Sequence, residues 1–185
     1  LYCNAGYRFI IRHEIVHVIH STLASDNLYG EKSEVWFSEG LAVYLSDSGD
    51  LSSPGGILSD TVSLSAYVAA GRPNPVTVKT RQDDMQGLSS SDVYPAFALA
   101  IKYLFDSSAR GGMENNLSSL KGMFQQIRSG TPFTTAFANT FSKGGSPLPV
   151  ATYATNFQSW MATYLSPLQT PATITGADNI SMVGI

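Results

Sequence analysis

The sequence predicts a mainly α-helical domain, and three observations carry that prediction. Apolar residues recur at three- and four-residue spacings in the runs 7–23, 36–44, 93–105, 117–127, 133–141 and 150–164. Only Pro75-Val76-Thr77-Val78-Lys79-Thr80 alternates like a short strand, and it reads equally as an extended segment crossing the surface. Between the runs lie stretches rich in Gly, Pro and Ser, such as Ser46 to Gly56 and Gly71 to Pro75, which have no periodicity and read as loops.

Taken in order, the first helix has Asn4 as a plausible N-cap and carries Tyr7, Ile10, Ile11, Glu14, Ile15 and Val18 at helical spacings up to about Leu23. A loop from about Ala24 to Lys32 leads to the second apolar run, Trp36 to Tyr44. Residues 57–70 are amphipathic enough for a short helix. From Ser91 the pattern is strongly helical: Val93, Phe97, Ala100, Ile101, Leu104 and Phe105 share a face, Ser91 or Asp92 can cap the start, and Pro95 fits the first turn. Leu117, Leu120, Phe124 and Ile127 form the next face. Thr131 then reads as an N-cap with Pro132 at the first helical position, and Phe133, Phe137 and Phe141 follow at four-residue spacing. After a Gly-Pro loop at 144–149, Val150, Tyr153, Phe157, Trp160, Met161 and Tyr164 form a last amphipathic helix whose aromatics belong to a bundle core. Residues 1–165 thus read as one domain, and 166–185, rich in Thr and Pro, as a linker or tail toward a further domain.

Composition narrows the function classes. At 185 residues and 43% hydrophobic content the chain can bury a proper core. A net charge of −3 gives no electrostatic case for a nucleic acid or an anionic membrane surface as partner. No apolar run reaches the roughly 18 residues that a membrane span needs. Cys3 is the single cysteine, so no internal disulfide is available. The low charge content, with abundant Ser, Thr and Gly, points to a secreted or cell-surface protein.

Chemistry concentrates in one place. Arg12-His13-Glu14-Ile15-Val16-His17 sets an H-E-x-x-H pattern in a helical run, and all three histidines of the chain, His13, His17 and His20, fall within eight positions. Residues four apart lie above one another on a helix, so His13 and His17 can present two imidazole nitrogens to one cation. That geometry suits Zn²⁺, which in catalytic sites takes three protein ligands and keeps a fourth position for water. Glu14 beside it can accept a proton. A third ligand must come from elsewhere. Of the five glutamates, Glu14, Glu31, Glu34, Glu39 and Glu114, Glu39 stands out inside the second apolar helix, which a helical hairpin could bring against the first.

H-E-x-x-H followed by Trp36-Phe37-Ser38-Glu39-Gly40-Leu41-Ala42-Val43-Tyr44, a W-x-x-E-G-x-A-x-Y run, resembles the gluzincin metallopeptidases, the superfamily that includes thermolysin and the gluzincin aminopeptidases. The resemblance implies a zincin-like catalytic domain made of an active-site helix and a C-terminal helical lobe. The small upstream β-sheet of such domains is largely absent from this chain. It further implies a zinc cofactor held by His13, His17 and Glu39, Glu14 as general base, and a peptide or protein substrate. Glu39 follows His17 by 22 residues, slightly more than in those groups, which a longer loop between the helices absorbs. Tyr94, in the run Tyr94 to Leu104, looks like the tyrosine of aminopeptidase-like members that donates a hydrogen bond to the oxyanion; the other reading is a packing tyrosine. The thermolysin pattern has an acidic residue four positions after the ligand Glu to orient the first His. Here that position is Val43, leaving Asp47 or a backbone carbonyl for the task.

Other candidate signals read as structure. His20 lacks the H-x-x-G-x-x-H continuation of metzincins and reads as a structural histidine or a cation at a helix C-terminus. Asp47 and Asp50 lack the ladder and terminal Glu of a calcium loop. Gly111-Gly112-Met113-Glu114-Asn115 matches the letters of an aminopeptidase amine-binding motif but lies downstream of H-E-x-x-H rather than upstream, so it reads as coincidence. Two other functions stay open. One is a non-catalytic helical binding module with a vestigial metal site, which Glu14, a residue that binds no metal, argues against. The other is a zinc hydrolase of non-peptide amides.

Overall fold

The computed structural model of the chain describes residues 5–25, 34–46, 71, 74–78, 90–105, 117–143 and 145–164. It is mainly helical, as the periodicity predicts. Helix α1 spans Ala5–Ala24 and α2 Val35–Ser46. A 3-10 turn covers Pro75–Thr77, followed by α3 (Ser90–Phe105), α4 (Leu117–Arg128) and α5 (Phe133–Thr140). The two-residue strands β1 (Ser142–Lys143) and β2 (Ser146–Pro147) pair antiparallel, Ser142 opposite Pro147, and α6 (Val150–Tyr164) closes the described chain. Asn4, the 57–70 segment, Asp47 and Asp50, the Gly111 to Asn115 run and the 166–185 tail lie outside the described residues.

Helix α2 is the centre of the assembly. Every residue from Trp36 to Val43 is buried, as a helix apolar on all sides requires. Trp36 is stacked on Tyr153 of α6 with ring centroids 5.8 Å apart, and it meets Phe133 and Phe137 of α5 edge-on. Its indole N–H donates to Glu34 Oε2 at 2.5 Å, which satisfies the polar edge of an otherwise apolar side chain. The Tyr153 hydroxyl donates to the Ala100 carbonyl of α3, tying α6 to α3. Burying aromatics of this size contributes roughly 2–3 kcal/mol each, which holds α2 in its seat between α5 and α6.

Three local expectations are corrected. The 75–80 segment is not a strand at its start: Pro75 supplies the fixed φ of a first helical position, the Asn74 side chain accepts from Val76 N at 3.1 Å, and Val78 N closes on Pro75 O at 3.0 Å. The Val78 carbonyl then accepts from Trp36 N, capping the start of α2. Pro95 lies inside α3 rather than in its first turn, because the helix already begins at Ser90. Its ring removes one i→i−4 bond there. In α5 the cap residue is Pro132, extended at ψ 145°, with no side-chain cap bond, so Thr131 does not cap.

In helix α1 burial follows the histidines rather than the isoleucines. Its buried stripe is His13, Val16, His17, His20 and Ala24, spaced by three and four, whereas Ile10, Ile11, Ile15, Val18 and Ile19 are about half exposed or more. The helix is apolar nearly all round, so periodicity alone could not pick the side that packs on α2 and α4.

Candidate metal centre

The buried stripe of α1 carries the chemistry. His13 and His17 stand one turn apart, 8% and 7% exposed, and face α2 where Glu39 is 2% exposed. Their Nε2 atoms are 3.0 Å apart, and Glu39 Oε2 lies 3.2 Å from His13 Nε2 and 3.3 Å from His17 Nε2. The imidazole rings meet edge-to-face with centroids 4.7 Å apart, so both point their outer nitrogens at one spot. A tetrahedral ion with bonds of about 2.0–2.1 Å spaces its ligand atoms about 3.3 Å from one another. The three separations fall at or just under that value, and one carboxylate with two neutral imidazoles is a donor set for a divalent cation of intermediate hardness. The three residues therefore form a buried group that could bind a metal ion.

Each of the sequence-predicted ligands is brought to this group, and the remaining site residues surround it unequally. Glu14 adjoins His13 on α1 and is exposed, on the solvent side of the stripe. Tyr94 of α3 is half-buried and its ring runs parallel to that of His13, 14° between planes and 6.2 Å between centroids. The Val43 side chain is buried and offers no acceptor, and Asp47 lies outside the described residues. Gly40, in the sequence only a letter of the W-x-x-E-G-x-A-x-Y run, packs against the α3 backbone: a Cβ there would lie 2.5 Å from the Phe97 carbonyl oxygen. The only trace of this in the sequence is a glycine in mid-helix, where its conformational cost demands a packing reason.

His20 is buried at 2% exposure between His17, 6.1 Å away ring to ring, and Phe124 of α4 at 5.1 Å. It is a structural histidine and not a terminal cation: burial, reinforced by His17 and opposed by Glu39, pushes its pKa down from 6.5 to about 3. Neither ring nitrogen has a hydrogen-bond partner among the described residues. The folded state thus holds His20 neutral, while the unfolded chain protonates it as pH falls through its ordinary value. Between those two values the unfolded state binds the extra proton, so stability is lost as pH drops and is unaffected above the window. His20→Leu should remove this term. Metal-free urea denaturation at pH 7 and about 4.5 should show wild type losing roughly 1–3 kcal/mol more than the variant. Equal losses would mean that the ring is hydrated or mobile in the folded state.

No helix among the described residues is long and apolar enough to cross a membrane. Comparison of the chain with models of known families, with curated proteins and with solved structures finds no match.

Proposed function

We propose that the chain is a zinc-dependent metallopeptidase of the gluzincin type, with His13, His17 and Glu39 as zinc ligands. The observation that carries this reading is the convergence of His13 and His17 from α1 with Glu39 from α2, at 3.0–3.3 Å, all three side chains being buried. A zinc ion held by these three residues would supply Lewis acidity toward a carbonyl and toward water near neutral pH. The remaining work falls to side chains. His13 and His17 would each offer a ring nitrogen and Glu39 a carboxylate oxygen to such an ion. Glu14, exposed beside His13, accepts the proton of the attacking water and returns it to the leaving amine nitrogen. Tyr94, beside His13, is the candidate phenol donor to the developing oxyanion, a contribution worth about 3 kcal/mol in sites of this kind. The substrate class is a peptide or protein, and the low charge of the chain favours a secreted or cell-surface setting.

Elemental analysis after dialysis against trace zinc should find about one zinc per chain. Chelation should lower the melting temperature by several degrees, because the ion binds the folded state only. A mixed peptide library should be cleaved by the zinc form and not by the chelated form. A chain that retains no metal, or a zinc form that cleaves nothing in the library, would remove the metallopeptidase reading.

A further inference from the structure

We infer that Tyr94 is a positioning residue for His13, acting through its ring, an inference that rests on the metal-site reading above. The outer torsion of a histidine is soft, a broad two-fold well rather than a set of sharp rotamers. Rotation about it swings Nε2 away from the point shared with His17 and Glu39. Position 43, where a carboxylate could have anchored the ring, is the buried aliphatic Val43. Tyr94 lies parallel to the His13 ring to within 14° at 6.2 Å between centroids, inside the range of offset aromatic pairs. Turning the imidazole out of its plane would drive an edge toward that ring.

Tyr94 is itself braced. Its ring lies 6.0 Å from Phe97, one turn further along α3, and Phe97 is 1% exposed. The Phe97 backbone in turn lies directly against Gly40, the neighbour of Glu39. One continuous path of contacts therefore links the ligand on α2 to the ligand ring on α1: Glu39 and Gly40, then Phe97, then Tyr94, then His13. Positioning is assigned to the ring and not to the hydroxyl. A ring without it should hold His13 equally well, which separates positioning from hydrogen-bond donation to a substrate.

The test uses cobalt(II) in place of zinc, because its visible absorption reports coordination geometry without any substrate. Affinity is measured by competition with a chelator of known strength for wild type, Tyr94→Phe, Tyr94→Leu and Tyr94→Gln, with the metal-free melting temperature of each recorded alongside. Tyr94→Phe should keep the wild-type affinity and spectrum. Tyr94→Leu and Tyr94→Gln should bind roughly three- to tenfold more weakly, the factor equivalent to one aromatic pair, with a shifted and broadened visible band. Wild-type affinity and spectrum in both Leu and Gln variants would overturn the inference, as would a Phe variant as weak as they are. A wild-type protein that takes up no cobalt would instead bring down the metal-site reading itself, and this inference with it.

Discussion

Glu14→Gln is expected to leave the zinc in place and to lower turnover of a cleaved peptide about a hundredfold or more, the scale of a lost general base. The change is isosteric and the side chain is exposed, so folding should be unaffected. It also lies outside the ligand set, since the three converging donors are His13, His17 and Glu39. His17→Ala makes the contrast. Removing one of three donors takes away the metal, so activity and metal content fall together, whereas in Glu14→Gln they part. The amide of Gln can still orient a water through hydrogen bonds but cannot take its proton, so the loss should appear in kcat rather than in KM. Turnover within a few-fold of wild type, at equal metal content, would exclude Glu14 as the base and move proton transfer to another group near the centre.

The convergence of His13, His17 and Glu39 was legible in the sequence because its first part is encoded locally. An i, i+4 pair of histidines shares a helix face whatever else the chain does, and Glu39 sits in the one apolar helix that follows closely enough to pack against it. The helical runs were legible for the same reason: the predicted cores of α3, α5 and α6, among them Phe97, Phe137 and Phe157, are buried as their spacing requires. What failed depended on competition between local options or on distant partners. Val76 and Val78 alternate with Thr77 as in a strand, yet Asn74 and Pro75 close a 3-10 turn first, and the free Val78 carbonyl is used by Trp36, more than thirty positions earlier in the chain. The face that α1 buries was hidden because apolar residues occupy both sides of it, leaving the histidine stripe to be selected by α2 and α4. The parallel contact of Tyr94 with His13 joins residues 81 positions apart and has no local signature.

Gly40 shows the same limit in a form that can be measured. By intrinsic propensity alone, glycine to alanine inside a helix gains about 1 kcal/mol. At Gly40 the added Cβ would stand 2.5 Å from the Phe97 oxygen, 2.8 Å from its carbonyl carbon and 3.0 Å from Ile101 Cγ1. Two of these atoms are backbone of α3, so no rotamer change relieves the clash and the helices must separate. Separation costs packing along the whole α2–α3 contact, so Gly40→Ala should destabilise by about 1–3 kcal/mol despite the propensity gain, and Gly40→Val by more. Gly122 supplies the internal control. It lies within α4, half-buried, and a Cβ there meets nothing within 4 Å among the described residues, so Gly122→Ala should stabilise by up to about 1 kcal/mol. Urea denaturation of the two alanine variants should therefore give opposite signs. Because Phe97 braces Tyr94, metal affinity should also weaken in Gly40→Ala and stay unchanged in Gly122→Ala. A Gly40→Ala protein as stable as wild type, with its metal affinity intact, would show that α2 and α3 are not in contact at this residue and would dissolve the path from Glu39 to His13 that runs through it.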